Sequence, residues 1–138
     1  MTVLTTLAAF QAAHLTITGI ASAPTAMPAA LNTATLPIAL TFPGAAEWDE
    51  QAIGLKRQFR EYIIRVYVNP AAQGEGVDEG FQECLPIIQA FGEYYLGHLT
   101  LTDVVDHIGD IRDEGIGVLP FAGIDYRGFT YHVSVTEK

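Results

Sequence analysis

The sequence predicts an α+β fold: one domain over residues 1–138, with a mostly antiparallel sheet packed by two helices, in the order α-β-β-α-β-β-β. Three observations predict it. A chain of 138 residues has room for one hydrophobic core. It is 49% apolar and only 17% charged, so it has enough apolar surface to fold. Its apolar residues also switch between helical spacing and strict alternation. The sequence has no internal repeat, low-complexity run or linker that would divide it.

Thr2 to Ala13 reads as the first helix. Val3, Leu4, Leu7, Ala8 and Phe10 recur near helical spacing, and Thr2 can cap. Residues 19–35 hold Gly19, Pro24, Pro28 and Asn32 and read as an irregular connection. Leu36 to Phe42 is a short apolar strand ended by Pro43-Gly44, and residues 43–55 follow as a loop around Trp48. Arg57 to Val68 is the clearest strand. Tyr62, Ile64, Val66 and Val68 form one face, and Glu61, Ile63, Arg65 and Tyr67 form a mixed one. Val77 to Leu96 is an amphipathic helix with Val77, Phe81, Cys84, Leu85, Ile88, Phe91 and Tyr95 on its apolar stripe. Pro86 inside it predicts a kink or a late start. Asp103 to Arg112 reads as a strand, and Gly115 and Gly117 turn the chain into a further one, Val118 to Phe121. After a turn at Gly123, Tyr126 to Thr136 alternates. Phe129, Tyr131, Val133 and Val135 face one side, and Thr130, His132, Ser134 and Thr136 face the other.

Charge is distributed unevenly. Seven basic against sixteen acidic residues give a net charge of -9. Residues 1–46 contain no Asp, Glu, Lys or Arg. Residues 75–114 hold ten acids and one base, Arg112, so the whole net charge falls there. Four bases, Lys56, Arg57, Arg60 and Arg65, crowd into ten residues. This balance excludes a basic nucleic-acid footprint. No apolar run approaches the ~18 residues of a membrane span, and the first residues lack a basic leader, so a cytoplasmic origin is expected. The uncharged third of the chain predicts a surface covered by a partner, against a plain Thr- and Ala-rich surface.

Candidate chemistry is sparse. Cys84 sits on an apolar stripe, where a structural thiol is expected rather than a reactive one. The four histidines, His14, His98, His107 and His132, show no ligand spacing. The series Asp103, Asp106, Asp110, Asp113 and Glu114 reads as a solvated acidic face, with a hard-cation site as the alternative. There is no nucleophile elbow, phosphate loop or dinucleotide fingerprint, and no nucleophile with an activating partner. We therefore expect no enzyme and no cofactor. The remaining features point to association. Trp48 either tucks onto its own core or anchors a partner. Arg57, Arg60 and Arg65 either pair within the domain or meet the acidic region of another copy. A head-to-tail contact of that second kind closes into a ring when the rotation allows.

The order of elements resembles a phage family. A first helix precedes a Pro- and Ala-rich segment ending in Leu36-Pro37-Ile38-Ala39-Leu40. A Pro-Gly turn and arm-like loop lead to the strand Arg60-Glu61-Tyr62-Ile63-Ile64-Arg65-Val66-Tyr67-Val68. After the amphipathic helix the chain closes on Tyr126-Arg127-Gly128-Phe129-Thr130-Tyr131-His132-Val133-Ser134-Val135-Thr136-Glu137. Over nearly its whole length this is similar to tail terminator, or tail completion, proteins and minor tail proteins of long-tailed phages. Neck proteins of the head–tail joint are the alternative, and a small cation- or ligand-binding module a more distant one. The resemblance implies a non-catalytic ring, typically of six copies, at the head-proximal end of the virion tail. The ring is assembled in the host cytoplasm, caps the tail tube and docks the head. Its implied partners are itself, the tail tube protein and the head–tail connector protein, with DNA as passing cargo and no membrane. In such a ring Asp103, Asp106, Asp110, Asp113 and Glu114 would form an acidic lumen or surface that repels the passing phosphates.

Overall fold

The two strands that alternate most cleanly do so for a common reason: they lie side by side at the centre of one sheet. A computed structural model describes residues 3–24, 27–31, 33–52, 55–70, 77–98, 101 and 107–136. Its elements are α1 (Val3–Leu15), a 3-10 turn (Thr33–Thr35), β1 (Ile38–Ala52), β2 (Leu55–Pro70), α2 (Val77–Gly97), β3 (His107–Phe121) and β4 (Ile124–Thr136). The sheet order is β1-β2-β4-β3 and every neighbouring pair is antiparallel. The α+β class with two helices and an antiparallel sheet is as the sequence predicts.

One face of the sheet carries the core. Tyr62, Ile64, Val66 and Val68 from β2 and Phe129, Tyr131, Val133 and Val135 from β4 are buried together. Both helices cover this face, bringing Phe10 and Ala13 from α1 and Cys84, Ile87, Phe91 and Tyr95 from α2. Aromatic side chains lock the layers: Phe91 stacks on Tyr131 with ring centroids 5.7 Å apart, and the Tyr131 hydroxyl donates to the Ile88 carbonyl at 3.0 Å. The opposite face has a smaller cluster of Ile38, Leu40, Tyr67 and Tyr126, against which Leu31 and Leu36 of the connection pack.

Four expectations change. Pro43-Gly44 does not end the first strand, and the expected loop 43–55 is a hairpin arm. β1 is a sheet edge, where proline is tolerated, and one extra residue between Pro43 and Ala46 is absorbed as a bulge. Second, the expected strands Asp103 to Arg112 and Val118 to Phe121 are one strand, β3, so the order is α-β-β-α-β-β. Two one-residue bulges, between Ile108 and Ile111 and between Asp113 and Ile116, carry it through the glycines. Third, α1 turns Thr6, Phe10, Ala13 and His14 inward, while Leu4 and Ala8 point to solvent. The Thr2 cap lies outside the described residues. Fourth, α2 runs across Pro86 into a buried set in which Ile87 takes the inward position and Leu85 lies outward. Pro86 is exposed, so water can satisfy the carbonyl it leaves without a donor. Val77 and Phe81 lie outside the described side chains.

Two local features bind the sheet. The β3–β4 hairpin closes on Ala122 and Gly123, both at positive φ (51° and 81°), the conformation of a two-residue turn matched to sheet twist. At Gly128, a Cβ would lie 1.9 Å from the Val66 carbonyl oxygen, so β4 approaches β2 more closely than any side chain permits.

His14 joins the helices. Its ring is fully buried beside Phe10, Phe91 and Tyr95, with Nε2 2.7 Å from the Tyr95 hydroxyl. Nδ1 has no partner. Burial pulls its pKa from 6.5 down to about 3.

Gly128→Ala should therefore prevent folding, read as loss of the cooperative denaturant transition, whereas Ala122→Gly should stabilise by about 1 kcal/mol by relieving the left-handed strain. The His14 sign is also fixed. Folded His14 stays neutral down to about pH 3, while the unfolded chain takes the proton near 6.5, so the unfolded state binds more protons between them. Stability should fall as pH drops through that window, by up to about 1.4 kcal/mol per unit, in urea titrations. His14→Leu should flatten that slope.

Candidate assembly interface

The β1–β2 hairpin projects beyond the sheet. β2 meets β4 only from Phe59 onward, whereas its pairing with β1 continues to Leu55 opposite Ala52. This arm carries two of the four bases singled out in the sequence, Lys56 and Arg57. The register sets Arg57 opposite Asp49 and Lys56 opposite Glu50. The side chains of Asp49, Glu50 and Lys56 lie outside the described ones. Trp48 stands opposite Gln58; the side chains of Trp48 and Arg57 lie outside the described ones.

The other two arginines are held at different points. Arg60 donates to the Gly44 carbonyl at 3.0 Å, across the β1 bulge. With the Gln58 amide oxygen turned toward it, Arg60 also donates at 2.8 and 3.1 Å. It therefore braces the root of the arm. Arg65 is exposed on the face without helices, over the Phe42 ring at 5.4 Å. It also lies beside the Tyr67 hydroxyl, where burial raises the pKa and the guanidinium opposes that rise.

The acidic series occupies the far side of the molecule. Asp110, Asp113 and Glu114 are exposed on β3, the edge strand opposite β1. The two bulges turn them to both faces. Asp113 borders a cleft of about 330 Å³ with Tyr95, Leu96, Ile111 and Tyr131 on the helix side. Glu114 turns to the other face, 3.4 Å from His132 Nε2. Asp103 and Asp106 lie outside the described residues.

One constellation has no sequence signal. His132 lies between Glu61 of β2 and Glu114 of β3, its Nδ1 2.6 Å from a Glu61 oxygen. The three residues are far apart in the chain and meet only through the strand order. Their side-chain contacts tie three strands together on the face without helices.

A cleft of about 500 Å³ between Pro37, Pro70 and Pro86 holds Asn69 and Glu83, but these bond each other at 2.6 Å. Cys84 is fully buried, and its thiol is pushed up to about 11, by burial first and by Glu83, against an opposing effect of Arg127. His98 stacks on Tyr94, with ring centroids 4.0 Å apart. Among the described residues no group of three His, Cys, Asp or Glu side chains is arranged to hold a metal ion, and no helix is long and apolar enough to cross a membrane. No protein-family model matches the chain, and no curated protein does either.

The Cys84 environment makes a prediction. At pH 8 a disulfide reagent should label native protein at least a hundredfold more slowly than an exposed thiol, because both access and thiolate are suppressed. Labelling should reach the free-thiol rate on adding denaturant. Fast labelling of native protein would place the thiol outside the core.

Proposed function

We propose that this chain is a ring-forming structural subunit of a phage tail: a tail terminator that caps the tail tube, stops its polymerisation and offers the surface on which the head docks. The support is the order of elements and above all the geometry of the sheet. The sheet order puts the projecting β1–β2 arm and the acidic β3 edge on opposite sides of one subunit. A closed ring needs two different, complementary surfaces on opposed sides, so that each copy's arm meets the next copy's edge. Across such a seam Arg65, exposed on the face without helices, would meet the exposed acids of the next copy's β3. The acids of β3 left outside the seam would line or flank the passage and keep DNA phosphates from sticking.

Two measurements test this reading. Tails assembled with the protein should have uniform length, and tails assembled without it should overrun, by electron microscopy. Arg57→Glu with Arg65→Glu should abolish rings in native mass spectrometry while circular dichroism shows a folded monomer. Rings that persist in the double variant, or tails of uniform length without the protein, would overturn the reading.

A further inference from the structure

The His132 ring sits between two carboxylates on the face that neither helix covers. Its side chain is only 15% exposed. Nδ1 lies 2.6 Å from a Glu61 oxygen of β2, and Nε2 lies 3.4 Å from a Glu114 oxygen of β3. The first contact is a hydrogen bond. The second is too long for one, so Nε2 is buried without a partner. Glu114 reaches the ring from the second β3 bulge, between Asp113 and Ile116. Gly115 shapes that bulge at φ 82°, its N–H donating to the Asp113 carboxylate at 2.7 Å.

This arrangement has a proton count built into it. A neutral imidazole carries a single N–H. With the hydrogen on Nδ1, Glu61 is bonded and the Nε2 lone pair faces the Glu114 carboxylate. With it on Nε2, the Nδ1 lone pair faces Glu61 instead. Only the imidazolium donates at both nitrogens. The surrounding charges accommodate it. Arg112 stands opposite His132 on β3, and uncharged Ile63 opposite it on β2. Arg112 offsets one of the two carboxylates, and an imidazolium offsets the other. Glu47 and Arg60, which border a cleft of about 250 Å³ beside Glu61, are of opposite sign.

We propose that His132 is a proton-operated clasp on the acidic edge of the sheet. Taking up a proton from solvent, the ring bonds Glu114 through Nε2 and fastens the β3 bulge to β2 across β4. Releasing it, the ring lets Glu114 return to solvent. Histidine changes charge at ordinary pH, so the clasp answers to modest acidification. When it closes, the edge presents one free carboxylate fewer. The clasp is a property of the single subunit and does not rest on the ring reading.

Amide hydrogen exchange of the full chain, corrected for intrinsic rates, tests it between about pH 8 and about pH 5.5, the range over which histidine titrates. The β3 amides that pair with β4 around the bulge should gain about tenfold in protection on acidification, the worth of one charge-assisted hydrogen bond. Acid acts on His14 in the opposite sense, because the unfolded chain takes the proton that the buried ring refuses. A gain on acidification therefore belongs to the clasp. Glu114→Ala, at an exposed position, should abolish the gain, whereas Asp110→Ala on the same edge should retain it. Nitrogen NMR of the wild-type ring at the acid end should show a hydrogen-bonded Nε2–H. Protection indifferent to pH, a gain that survives Glu114→Ala, or an Nε2–H that exchanges freely with water would overturn the proposal.

Discussion

The rest of the domain depends on the pairing of β4 with β2, which leaves no room for a side chain at Gly128 beside the Val66 carbonyl. It brings two strands of inward-pointing Tyr, Ile, Val and Phe together as one continuous apolar surface, and that surface is what both helices bury. Every other strand attaches outside this pair through its own hairpin: β1 beside β2, and β3 beside β4. The outer strands add buried side chains at one end each, Ile38 to Leu40 of β1 and Ile108 of β3. They are held by ladder bonds and are free to carry charge, prolines and bulges, the devices by which edge strands avoid uncontrolled pairing.

That division of labour explains what could be read from the sequence. The alternation of residues 62–68 and 129–135 is visible because both strands are half-buried along their length, and the buried positions match. The α2 stripe is visible for the same reason, save Leu85, which competes with Ile87 for one position on a helix whose apolar residues are unusually dense. β3 is hard to read because two bulges shift its phase. Its helix-side residues, Ile108, Ile111, Asp113 and Ile116, follow spacings of three, two and three, judged by their partners on β4. The arm is hidden by Pro43 and Gly44, which signal a turn in isolation. Only the register reveals an edge strand whose acids oppose bases on the next one. On α1, apolar residues on both sides erase the contrast that a helical period needs.

The candidate surfaces divide in the same way. The charge blocks are legible as composition, but their placement is a property of strand order. The β1–β2 arm and the β3 edge are separated by the full width of the sheet, and nothing short of the order β1-β2-β4-β3 says so. The Glu61–His132–Glu114 contact is a product of the same order, linking three strands through residues that no local window contains. Arg60 bonds the Gly44 carbonyl at the root of the arm, across a bulge that no local reading of the chain shows.

On the ring reading proposed above, a seam between one copy's arm and the next copy's β3 edge would draw its strength from charge attraction and would weaken as ions screen it, so low salt would favour the ring.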